Sequence, residues 1–201
     1  MAMGRPREFD VDNALDQALN VFWRNGYEGA SVADLTNAMG INPPSLYSAF
    51  GNKEGLFRKA LDRYVKRGTE FWNEAQAKAT ARAMVEHLLH GKADFLTEGR
   101  NPPTCMLDRS AMTCSEADKA MQQELSALRA NFEVALRDRF HAAKTAGEIS
   151  DDTQPDDYAR YIMTVLEGMS VRAAGGATRE ELHKIADMTL RAWPGNQRQR
   201  P

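Results

Sequence analysis

An all-α protein is predicted, on three observations. Almost every periodic stretch carries apolar residues at helical spacing, no alternating pair of strands is evident, and the stretches are separated by polar caps, glycines and prolines. About nine helices follow from this punctuation, and 201 residues give enough chain for a sizeable core. The first helix is expected over residues 11–25, capped by Asp10 and stopped by Gly26, with Val11, Leu15, Ala18, Leu19 and Phe22 facing inward. Ser31 then reads as an N-cap with Asp34 as its acidic capping-box partner. Val32, Leu35, Ala38 and Met39 form the stripe of that second helix, residues 31–39, and Gly40 suits a left-handed C-terminal position. Asn42 caps a third short helix, 43–49, whose first turn tolerates Pro43 because the missing N–H has no partner there.

A fourth helix starts behind Asn52 and runs to about residue 77, carrying Leu56, Phe57, Ala60, Tyr64, Phe71 and Trp72. A fifth is expected over 81–97, followed by a break at Gly99, Pro102 and Pro103. A short segment, 105–113, precedes a long helix over 116–146 with a stripe of Met121, Leu125, Leu128, Phe132, Leu136 and Phe140. Gly147 ends it. After a polar loop come helices over 156–174 and 178–193, separated by Gly175-Gly176. The resulting division is a helix-turn-helix domain with a basic arm at 1–51, a larger helical domain at 52–194, and a tail at 195–201 expected to be disordered.

Helix, glycine-containing turn, helix is the arrangement with which many proteins read DNA, so double-stranded DNA is the first partner to consider. The formal net charge of −2 does not oppose this, because six basic residues against two acidic ones between positions 37 and 67 leave a local +4. On the wheel of the third helix Leu46, Ala49 and Phe50 point inward, while Pro44, Ser45, Tyr47 and Ser48 point out. An outward Tyr47 suits a phosphate oxygen, and the short Ser45 and Ser48 can approach base edges. Lys53, in a helix's first turn, opposes the helix dipole and gains most from an external anion.

These residues resemble a known family. The arm GRPREFD, the first-helix ending FWRNGYEGAS and the run DLTNAMGINPPSLYSAFGNKEGLF are similar to the DNA-binding domain of TetR-type transcriptional regulators, over roughly residues 4–64. The resemblance implies a homodimeric all-α repressor with a DNA-binding domain of three helices and a larger ligand-binding and dimerisation domain. By position, Tyr47, Lys53 and the cap hydroxyl of Ser31 match phosphate-contacting residues. Pro44, Ser45 and Ser48 match positions presented to the major groove, and Arg5 and Arg7 match a basic arm that reaches phosphates or the minor groove. Pro43-Pro44 departs from the usual small or polar pair and removes a donor, which shifts base readout towards Ser45, Ser48 and thymine methyl groups.

The resemblance fades after about residue 67. A cavity between helices is expected from Met84, His87, Leu88 and Phe95, from Met106 and Met112, from Leu125, Leu128 and Phe132, and from Met163 and Met169. Ten methionines suit a plastic, apolar pocket for a small apolar or aromatic effector. On the penultimate helix Tyr158, Tyr161, Ile162, Val165, Met169 and Ala173 cover one face, and Leu166 and Met163 extend the apolar arc well past the ~100° that a surface helix needs. Paired with Leu182, Ile185, Ala186, Thr189 and Trp193 of the last helix, this arc predicts a four-helix dimer interface.

Other chemistries find little support. His87 and His90 share a helical face without further ligands at recognised spacing, and the single Glu180-x-x-His183 lacks the second copy that a di-iron bundle needs. No catalytic signature, metal or cofactor is expected. Only two cysteines, Cys105 and Cys114, exclude a disulfide-stapled scaffold. With no apolar segment long enough for a membrane and no signal peptide, a cytoplasmic protein is expected. The reading is a DNA-binding regulator, most simply a homodimeric repressor released from a pseudo-palindromic operator by a small apolar ligand. The alternatives are a thiol-redox sensor acting through Cys105 and Cys114 with Arg109 as the nearby charge, an all-α enzyme, and a protein-interaction module.

Overall fold

The structure, a computed structural model, describes residues 9–99, 101–113 and 119–195, without the side chains of 111–113 and 120. Among these residues the chain forms nine helices and no strand. The first four are α1 (Val11–Gly29), α2 (Val32–Met39), α3 (Pro43–Phe50) and α4 (Lys53–Gln76). Then come α5 (Ala81–Thr97), α6 (Met106–Thr113), α7 (Lys119–Thr145), α8 (Pro155–Ala174) and α9 (Arg179–Arg191).

The helix ends follow local chemistry. Asp10 accepts from the amides of Asp12 and Asn13. Ser31 and Asp34 form a complete capping box, and its hydrogen bonds hold the Asp34 carboxyl below the ordinary carboxylate range. Gly40 is left-handed at φ 66, and the next amide, Ile41, donates to the Thr36 carbonyl. At Gly26 (φ 72, ψ 179) the regular part of α1 breaks, and one further turn carries Tyr27 to Gly29. Two inward assignments are corrected. Val11 is 48% exposed because the first turn of α1 overhangs the core, and Ala14 and Trp23 are buried instead. On α2, Ala38 is exposed and Thr36 is buried; its hydroxyl donates back to the Val32 carbonyl at 2.8 Å, which satisfies the polar atom inside the core.

Two apolar cores result. The first joins α1–α3 and the beginning of α4 to α6 and the start of α7, with Leu19, Phe22, Leu35, Leu46 and Phe57 meeting Met106 and Leu125. Phe57 is its aromatic hub, packed edge-on against Phe22 and Tyr27 with both ring centroids at 5.0 Å. The second gathers α5, α8, α9 and the C-terminal half of α7. Phe95 packs against both. Between α1 and α4, Arg63 pairs with Asp12 and Asp16, and Arg67 pairs with Asp16. Arg58 pairs with Glu54 and Glu124. Much of the local positive surplus counted along the sequence is therefore spent inside the fold.

The expected dimer face is corrected in part. Ile162, Met169, Leu182, Ala186 and Thr189 are buried within the subunit, where α8 and α9 pack on α5 and α7. Tyr158, Val165, Leu166, Ile185 and Trp193 are half-buried. The centre of the apolar arc on α8 faces its own core, so what remains outside is its flank: Tyr161, Gly168 and Val171, with Met188 on α9.

Phe57→Ala should cost about 3–5 kcal/mol of stability, whereas Arg63→Ala should cost no more than about 1 kcal/mol. Urea denaturation checks this order, and a larger loss for Arg63→Ala would contradict a fold held by its apolar core.

Candidate nucleic-acid interface and ligand cavity

The orientation of α3 is set at both ends. Asn42 Oδ1 accepts the Ser45 amide at 2.9 Å, satisfying the first free donor after Pro43 and Pro44. At the other end Gly55, in the first turn of α4, lies against the carbonyl of Phe50. A Cβ there would come within 2.4 Å of that oxygen, so only glycine lets α3 and α4 approach this closely. Leu46 and Phe50 anchor the inner face of α3 in the first core. Pro44, Tyr47 and Ser48 are exposed and Ser45 is half-buried, so one outward face presents all four. Tyr47 is 48% exposed. Because neither proline carries an N–H, the usual anion-binding amides at a helix N-terminus are missing from α3, and side chains must supply the polar contacts.

Lys53 is not a freely solvated lysine. Its ammonium sits 4.6 Å from the centroid of the Tyr27 ring and 3.5 Å from the Glu28 carbonyl. Ser31 is exposed at the start of α2, but its hydroxyl both accepts from the Asp34 amide and donates to the Asp34 carboxylate. A phosphate reaching Ser31 would have to draw that proton from the capping box. Arg5 and Arg7 lie outside the described residues.

Behind this unit is a cavity of about 550 Å³ between α4, α5, α6, α7 and α8. Its size suits a small organic molecule. His87, Leu88, Phe95, Phe132 and Met163 line it as expected. Met84, Met106, Leu125 and Met169 are buried in the cores and do not, and Leu128 packs against the first core. These flexible apolar side chains fill gaps rather than bound a void. The side chain of Met112 lies outside the described residues. The sequence reading missed the more distinctive lining groups: Trp23, Tyr64, Trp72, Asp108, Arg129 and Glu167.

Trp23 is the most consequential of these, because it belongs to α1 and to the first core. Its indole N–H donates to the Thr104 carbonyl at 2.7 Å, and its ring stacks on Phe95 (5.5 Å) and meets Tyr64 edge-on (4.9 Å). The Tyr64 hydroxyl donates to Cys105 Sγ and accepts from the Met106 amide, both at 3.4 Å. Burial pushes this phenol well above its ordinary range. Cys105 is buried and free, reachable only where it borders the cavity. It therefore lacks the surface exposure that the redox reading asked for, and Cys114 lies outside the described residues.

His87 stacks on Phe71 at 4.7 Å across Gly91, where a Cβ would strike the Phe71 ring. His87 and His90 do not converge: one imidazole faces Glu74 and the other Asp187. His183 is held by Asp94 at 2.7 Å. Burial of the Asp94 carboxyl opposes its ionisation, but the hydrogen bonds from His183 and Arg179 prevail and hold it below the ordinary range. Among the described residues no three potential metal ligands come together.

A capped helix-turn-helix with an open outer face, joined through α1 and α4 to a helical domain with an internal cavity, defines a ligand-responsive class of DNA-binding protein. The sequence profile described as bacterial regulatory proteins, tetR family, matches residues 14–60. The chain is 36% identical to the HTH-type transcriptional repressor ComR of Escherichia coli K12 over 195 residues, 95% of this chain and 92% of that protein. It is 51% identical to the repressor BdcR of the same organism over 67 residues, a third of each chain. Among solved structures, a cysteine-substituted form of the TetR family regulator CifR, complexed with 26-base-pair double-strand operator DNA, aligns with a TM-score of 0.89 and 41% identity. That alignment covers 95% of this chain and all of the other. The chain belongs to the TetR family, and it is a DNA-binding transcriptional regulator rather than an enzyme.

Burial, aided by Lys78, holds the His87 imidazole below its ordinary value, against the weaker opposing pull of Glu74. A histidine depressed on folding stabilises the native state fully above the unfolded value of about 6.5 and progressively less as pH falls past it. His87→Asn should therefore flatten the loss of stability between about pH 7 and pH 5, as read from urea midpoints; an unchanged slope would contradict this placement.

Proposed function

We propose that this protein is a homodimeric repressor that holds a pseudo-palindromic operator through α3 of each subunit and releases it when a small molecule with a mainly aromatic and apolar body enters the cavity. The observation that carries the reading is the outer face of α3. Pro44, Ser45, Tyr47 and Ser48 are turned to solvent by a helix whose inner face and both ends are fixed. The operator complex of CifR, similar over nearly the whole chain, supports the choice of duplex DNA. On this reading residues 1–51 form the reading head, with Tyr47 and, from the first turn of α4, Lys53 holding phosphates and Ser45 and Ser48 meeting base edges while Pro44 packs on thymine methyl groups. The Ser31 cap and the Arg5 and Arg7 arm contribute further backbone contacts.

Trp23 supplies the link to the cavity. A ligand that moves its ring, or the Phe95 and Tyr64 rings against it, displaces α1 directly, because Trp23 is adjacent to Phe22 of the first core. Release requires that the ligand bind the displaced arrangement better than the DNA-binding one. The second subunit is placed against the exposed flank of α8 and α9, with Tyr161, Gly168, Val171 and Met188 at its centre. Two heads then fall on successive major-groove faces about one helical turn (~34 Å) or more apart. Such a regulator works in the cytoplasm, in keeping with the absence, among the described residues, of a helix able to cross a membrane.

With duplexes selected from a random pool, Tyr47→Phe should weaken binding about fivefold, the worth of one hydrogen bond. Lys53→Ala should reduce the slope of log affinity against log salt by about 0.9. Both losses should fall equally on selected and unrelated duplexes, whereas Ser48→Ala should change the sequences selected. Loss confined to selected sequences in Lys53→Ala would contradict its phosphate role. For the dimer, Gly168→Arg meets no atom of its own subunit within 4 Å of the new Cβ. It should yield a folded monomer by light scattering, and a dimer that persists would place the interface elsewhere.

A further inference from the structure

The cavity's charges select the kind of polar group that its occupant carries. Arg129 of α7, in the cavity lining, is held by Glu167 of α8 at 2.5 Å, while Asp108 of α6 comes no closer than 3.7 Å to the same guanidinium. The second distance lies beyond a hydrogen bond. Asp108 is 8% exposed, borders the cavity and makes no hydrogen bond among the described residues. The buried Nε of Arg129 has no hydrogen-bond partner there either. One cation thus faces two carboxylates, and a negative charge is left over beside the void.

The rest of the lining points the same way. Further out, Arg67 and Lys92 stand among Glu74, Asp94 and Glu98. Asp16 outside the cavity already engages Arg67, and Arg179 engages Asp94, so neither charge is free for an occupant. His87 stays neutral at neutral pH because burial lowers its pKa, and adds no positive charge. The walls present the rings of Trp23, Phe71, Trp72, Phe95 and Phe132 together with the Tyr64 phenol. Aromatic faces attract a cation and repel an anion.

We propose that the cavity takes an organic cation with an aromatic body, its ammonium-type group donating to Asp108 and its rings lying between Trp23, Phe95 and Phe132. This rests on the reading of the cavity as the effector site. An anionic effector is disfavoured, because Arg129 is already matched twice over. A fully apolar one would leave Asp108 facing only a guanidinium that Glu167 already holds more closely.

Calorimetric titration of the full-length protein at neutral pH with naphthylmethylamine, naphthylmethanol and naphthoic acid separates the three charge classes on one ring system. The amine should bind at least about tenfold more tightly than the alcohol, and the acid more weakly than both. Asp108→Asn should bring the amine to within about twofold of the alcohol; if that variant fails to fold, Glu167→Gln on α8 should narrow the same gap. Leu166→Trp, which fills the cavity, should abolish binding of the amine and the alcohol. Equal binding of amine and alcohol, tighter binding of the acid, or a preference that survives both charge substitutions would overturn the cationic class. If the Leu166→Trp loss is still seen in those cases, the effector cavity itself stands. Failure of all three probes to bind, or binding indifferent to Leu166→Trp, would overturn the cavity reading and the cationic class with it.

Discussion

The indole N–H of Trp23 has to be satisfied inside an apolar interior, and the carbonyl of Thr104 does this across 81 residues of sequence. That bond fixes the loop ahead of α6 against α1, and with it the inner wall of the cavity. One residue earlier on the same helix, Phe22 enters the aromatic hub that orders α2, α3 and the start of α4. The two halves of the molecule therefore meet in one helix, with neighbouring side chains committed to different tasks. Packed rings, Trp23 against Phe95 and Tyr64 and Phe22 against Phe57, run from the cavity wall into the first core.

The placement of α3 depends on equally tight local constraints. Gly55 brings α4 against the Phe50 carbonyl, and Asn42 closes the first turn after two prolines. The prolines stiffen the entry to α3 and remove two of its amide donors. Lys53 is itself steadied over Tyr27, and Tyr27 packs on Phe57. The Lys53 side chain is thus tied to the same aromatic hub as the first core and is partly ordered by it.

Local chemistry was legible in the sequence, and distant convergence was not. The Ser31–Asp34 capping box, the left-handed Gly40 and the Asn42-Pro43 start of α3 each involve residues within a few positions of one another, and the structure places them as read. Val11 and Ala38 were misassigned because a helical wheel does not show where the neighbouring element ends. The cavity was read from its methionines, yet Met84, Met106 and Met169 pack the cores, and the lining is aromatic and charged. Asp108, Arg129 and Glu167 meet only because α6, α7 and α8 are folded together, and no spacing along the chain announces it. On α8 the apolar arc was assigned to a dimer interface, but its most apolar centre belongs to the subunit's own core.

If Trp23 couples the reading head to the cavity, events at α3 must be felt at its ring, as linkage requires of any coupled pair of sites. Indole N–H resonances of the protein, recorded before and after addition of a selected DNA duplex, test this most directly. The account predicts that the Trp23 resonance shifts together with the amides of α3 while that of Trp193, in the second core, stays in place. A Trp23 resonance that remains unchanged while the α3 amides move would contradict it.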